Sequence, residues 1–154
     1  LFRIDGVWLQ LALGTLAGWH HPSPFMIGVD RRWGSWFAYR AVILCATDFV
    51  PTAVVDHGSP CIDCREQPCI GACPAGAVGN SFDLPRCAEE RLRPGSDCAC
   101  GCLARNACPV GAEHRYDEAQ IRHSFALSRQ MLRQWSQAST GRTPDSAIQP
   151  RTTR

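Results

Sequence analysis

Nine of the chain's ten cysteines lie between positions 61 and 108, in two runs that each end in Cys-Pro. The first run is Cys61-x2-Cys64-x4-Cys69-x3-Cys73-Pro74. The second is looser: Cys87 alone, then Cys98, Cys100 and Cys102, then Cys108-Pro109. Each Cys-Pro leads into a small-residue turn, CPAGAV and CPVGAE. Glycine and proline fill much of the rest, and only short helical pieces such as residues 84–92 are expected. A segment of this texture buries little apolar surface of its own. It folds only around something that engages the sulfur.

Disulfides, zinc and iron are the three agents to weigh. Residues 7–19 form the most apolar run, without the charged flank or cleavage site of a signal peptide, and no export signal points to an oxidising compartment. Cys98, Cys100 and Cys102 are also too close in sequence to pair readily with one another. Structural zinc prefers repeated C-x2-C knuckles, and only Cys61 and Cys64 form one. Iron suits the pattern better. A [4Fe–4S] cubane takes one thiolate on each of four corners, and a tight loop with two to four residues between cysteines wraps three of them. Amides exposed by such a curl point at the sulfides, with Gly71, Gly76 and Gly101 easing the approach. The fourth corner faces away and takes a distant cysteine. Proline after that cysteine turns the chain and adds no donor.

In two-cluster ferredoxins the last cysteine of each run ligates the other cluster. The same logic assigns Cys61, Cys64, Cys69 and Cys108 to a first cluster, and Cys73, Cys87, Cys98 and Cys102 to a second. Cys100 is the alternative to Cys98; Cys98 is preferred because a one-residue gap to Cys102 pinches the loop. Cys45, far from both runs, is expected to be a buried structural thiol. His57 and His114 flank the segment and are expected to be surface or capping residues, since eight thiolates suffice. No Ser/His/Asp set, phosphate loop or paired-carboxylate motif is present, so no catalytic residue is nominated.

Two parts of this pattern resemble known families. CIDCREQPCIGACPAGAV is similar to the four-cysteine run of bacterial-type dicluster ferredoxin domains, apart from x4 where x2 is usual. RCAEERLRPGSDCACGCLARNACPVG resembles the lone-cysteine-then-cluster layout of the ferredoxin domain in epoxyqueuosine reductase and corrinoid reductive dehalogenases. Small bacterial ferredoxin-like proteins share a CPVG…RY ending like Cys108 to Tyr116. The likeness covers residues 57–116 and, more weakly, GSWFAYRAVIL. It implies electron transfer through two [4Fe–4S] clusters, with a redox protein as partner.

The remaining chain sets the organisation. The expected fold class is α+β, mostly helical and loop-rich: a ferredoxin-like cluster domain with an N-terminal helix/strand segment. Residues 1–56 form that segment, 57–116 the dicluster domain, 117–138 a C-terminal amphipathic helix packed on it, and 139–154 a disordered tail. Within the first part, 1–20 read as a buried helix, 25–36 as a loop or short strand, and 37–46 (FAYRAVILCA) as the best strand. Trp8, Trp19, Trp33 and Trp36 are expected in a core. Asp117 caps the last helix, with Ile121, Phe125, Leu132 and Trp135 on its inner face and Arg122, Arg129 and Arg133 in water.

Charge excludes some functions. All sixteen basic residues are Arg, scattered rather than patched, and the net charge is +2, which argues against a nucleic-acid surface. Within 61–115, six arginines (Arg65, Arg86, Arg91, Arg93, Arg105, Arg115) face seven acids, so no net basic shell is expected. The apolar run at 7–19 is too short to span a bilayer. A cytoplasmic electron carrier is the leading expectation. The alternative is the cluster-bearing part of a larger redox enzyme, of corrinoid-dependent reductase type, with further sequence upstream of Leu1.

Overall fold

The computed structural model describes residues 7–43 and 45–140, and side chains over 11–43 and 45–138. Helix α1 (Val7–Leu16) ends where Gly18 takes a left-handed φ of 74° and the Trp19 amide bonds back to the Gly14 carbonyl. The expectation of burial fails here. Leu16 is 73% exposed and Trp19 58% exposed, while Leu11 and Leu13 are half-buried, with Tyr39 approaching at Gly14 and Asp56 at Gly18.

The expected strand at 37–46 is absent among its described residues. Residues 37–43 run without ladder pairing, and Ile43 is 82% exposed. Strand-forming side chains make a strand only when a neighbouring edge takes up their amides and carbonyls. The described residues offer no such edge, only two isolated bridges, His21 to Val29 and Asp30 to Gly34. The α+β expectation therefore keeps only its helical half. Cys45 is corrected by the same fact: it lies in this uncovered stretch and is exposed, not buried.

The cysteine segment carries short helices: α2 (Pro68–Gly71), α3 (Leu84–Leu92), a 3-10 turn (Asp97–Ala99), α4 (Leu103–Ala107) and a second 3-10 turn (Ala112–His114). Asp83 starts α3 by accepting the Arg86 amide at 3.0 Å, with Pro85 in the first turn. Packing of α2 on α4 gives a small core of Phe25, Cys69, Val78, Ala104 and Cys108. Helix α5 (Glu118–Thr140) lies against α3 and the first 3-10 turn. Its cap is as the sequence predicts: Asp117 accepts the Gln120 amide at 2.7 Å.

Two details of α5 differ from expectation. Arg129 belongs to the half-buried stripe of Ile121, Phe125, Ser128 and Leu132, because the 3.6-residue period brings position 129 round with 125 and 132. Trp135 lies at the margin, 39% exposed. The helix also runs two residues into the segment expected as a tail, while 141–154, like 1–6 and the side chain of Trp8, lie outside the described residues.

Residues 19–36 pack directly onto the cysteine segment, so contacts cross the expected boundary at 56/57. Gly34 and Gly111, both left-handed (φ 60° and 64°), touch backbone to backbone, leaving no room for a Cβ on either. Beside them Trp33 packs on His114, ring centres 4.4 Å apart. Arg105 lies buried over Trp36, its carbon centre 4.1 Å from the ring, and donates to the Ser35 hydroxyl at 3.1 Å and to the Ser35 carbonyl.

Candidate cysteine-lined centres

The two cysteine runs interleave around two cavities. Cys61, Cys64, Cys69 and Cys108 line one; Cys73, Cys87, Cys98 and Cys102 line the other. Each cavity thus draws three cysteines from one run and one from the other. Helices α2 and α4 do the interleaving. Cys69 lies in α2 and faces the first cavity, and Cys73, one turn beyond, faces the second. Cys102 caps α4 from the second cavity, and Cys108 follows its far end into the first.

Local sequence explains each placement. The x4 spacing accommodates a left-handed residue, Gln67 (φ 42°, ψ 54°), before Pro68 opens α2 and turns Cys69 inward. Cys98 sits in the 3-10 turn, where the Ser96 hydroxyl accepts its amide at 3.1 Å and donates to Glu90 at 2.7 Å. That turn buries Cys98 and leaves Cys100 exposed and off both cavities. His57 and His114 line neither cavity.

The thiols within each group feel one another. Burial pushes Cys61 and Cys69 up from the ordinary thiol range, and Cys108 pushes both further. In the second group burial drives Cys87 to about 11, opposed by the Arg91 charge and reinforced by Cys102, Cys73 and Cys98. Cys102 is raised by burial and eased by the amides of Arg105 and Ala104, the former 3.4 Å from its sulfur. Burial thus keeps Cys61, Cys69, Cys87, Cys98 and Cys102 protonated, and a cation bound beside them would favour their thiolates.

The donors fit an iron–sulfur cubane. Each cavity has four thiols, apolar walls (Phe25 and Val29 in the first; Val78, Phe82 and Phe125 in the second) and no histidine. The second holds about 200 Å³, whereas the first is a cleft of only about 20 Å³. A single zinc ion ~2.3 Å from each sulfur draws four thiolates within ~3.8 Å of one another. Among the described residues no three His, Cys, Asp or Glu side chains are grouped closely enough to hold a metal ion, and that holds for both sets of thiols alike.

Sequence reasoning missed two arginines that the fold selects from a charge-neutral segment. Arg91 lines the second cavity, and Arg105 lies beside Cys102. Position four after Cys87 was the available signal for Arg91, since one helical turn puts both on one face. Nothing in the local pattern marks Arg105. Among the described residues no helix is long and apolar enough to cross a membrane. Comparison with family models, curated proteins and solved structures finds no match for this chain.

Proposed function

We propose that this chain is an iron–sulfur protein. More particularly, it is a carrier of single electrons through two [4Fe–4S] centres, the first held by Cys61, Cys64, Cys69 and Cys108 and the second by Cys73, Cys87, Cys98 and Cys102. One observation carries the reading: eight cysteines, taken crosswise from two runs, line two separate cavities four by four. When bound, each cubane takes up and gives back one electron at a potential set by its surroundings. The chain's own residues fix the thiolates, exclude water with Phe25, Val78, Phe82 and Phe125, and supply amide donors to Cys98 and Cys102. The role proposed is electron transfer with a protein partner. The compartment proposed is the reducing cytoplasm.

Exposed Ile43, Phe49, Val50, Val54 and Val55 favour a second reading, in which the centres serve the catalytic part of a larger redox enzyme that covers this strip. Iron and acid-labile sulfide analysis of protein purified without oxygen tests the principal reading. About eight of each per chain are expected from two cubanes. A colourless, zinc-loaded protein refutes it.

A further inference from the structure

The two thiol groups differ in the charge beside them. The first cavity is lined by no charged side chain apart from its cysteines. The second is lined by Arg91 and Glu90. Glu90 is already engaged, by Arg93 at 2.6 Å and the Ser96 hydroxyl at 2.7 Å. Arg91 has no carboxylate partner among the described residues. Its guanidinium is held by neutral groups: the Ser128 hydroxyl at 2.8 Å, the Phe125 carbonyl at 3.3 Å and the Cys98 carbonyl at 3.4 Å, with the Phe125 ring 4.6 Å away. Three contacts from two elements fix a positive charge at the wall of the second cavity, half-buried and so weakly screened.

Resting on the two-centre reading, we propose that Arg91 is a potential-setting residue of the second centre, raising its reduction potential selectively. Reduction by one electron from an external donor, dithionite in the test below, breaks no bond and lowers the net charge of the centre by one. A fixed cation beside it stabilises that added charge. The anchor on α5 gives the charge its position, because the Phe125 carbonyl and the Ser128 hydroxyl both accept from the guanidinium. The first centre has no counterpart and does not respond.

Redox titration with dithionite and mediators, followed by electron paramagnetic resonance of each centre, reads the effect. Arg91→Gln lowers the second centre's potential by about a tenfold change in its one-electron equilibrium, equivalent to 59 mV. The first centre stays where it was. Arg91→Lys keeps the charge and shifts the second centre less than Arg91→Gln. Ser128→Ala, which loosens the guanidinium without removing it, lowers the second potential by a smaller factor, and it decides the matter if Arg91→Gln fails to retain iron. An iron-replete Ser128→Ala or Arg91→Gln protein with an unshifted second centre, or with both centres shifted equally, overturns the role of Arg91 alone. Iron-free unmodified protein overturns the two-centre reading beneath it.

Discussion

Arg105 is the side chain whose removal tests most sharply how residues 19–36 are bound to the cysteine segment. It is buried without a carboxylate partner among the described residues, stacked on Trp36 and donating twice to Ser35, which is 1% exposed. Arg105→Met keeps most of the stem's packing but leaves the Ser35 hydroxyl and carbonyl unpaired, at roughly 1–3 kcal/mol each. Loss of the desolvated cation–π contact adds about 1–2 kcal/mol. Relief of the guanidinium's own desolvation, which lowers its proton affinity here, offsets part of this. The net loss is about 2–4 kcal/mol. It is larger when the centres are filled, because Arg105 lies beside Cys102 and faces the thiolate charge. Anaerobic urea unfolding of the loaded protein, followed by circular dichroism, measures it. A loss below about 0.5 kcal/mol refutes the argument that this arginine ties the two regions together.

Three further outcomes follow from the same geometry. Gly34→Ala places a methyl group against the Val110 carbonyl at a left-handed φ and destabilises by roughly 3 kcal/mol or more, with the neighbouring first centre lost before the second in thermal bleaching. Cys45→Ser and Cys100→Ser, at exposed thiols off both cavities, leave iron and sulfide content unchanged; loss of four irons from either contradicts the placement. In chelator-treated, reduced protein, Cys87 holds its proton to about 11 when folded against an ordinary 9.0 unfolded. Its contribution is complete below pH 9 and disappears as pH rises toward 11, so the urea midpoint falls across that window.

What could be read from sequence follows the range of the interactions involved. That the cysteines of the two runs line two cavities crosswise agrees with the pattern of two-cluster ferredoxins, while their role as ligands is a proposal. Cys98 lines the second cavity and Cys100 does not, in keeping with a one-residue gap that cannot turn both Cys100 and Cys102 inward. Helix α3 and the Asp117 cap rest on contacts within one turn. The strand expected at 37–46 failed because pairing depends on a partner that composition does not reveal. Burial of α1 failed for a related reason: an apolar sequence says what a helix prefers to touch, not what is there to touch. Arg129 read as solvated because charge outweighs position in any local pattern, and the burial of Arg105 rests on Ser35 and Trp36 crossing over α4, which nothing local marks.

Crossed holding of two centres is tested most directly by eight single Cys→Ser variants, examined by electron paramagnetic resonance after anaerobic reduction. Substitutions at positions 61, 64, 69 and 108 should alter one signal, and those at 73, 87, 98 and 102 the other, so that Cys69→Ser matches Cys108→Ser and not its near neighbour Cys73→Ser. If Cys69→Ser and Cys73→Ser instead alter the same signal, each run closes on itself and the crossed account is wrong.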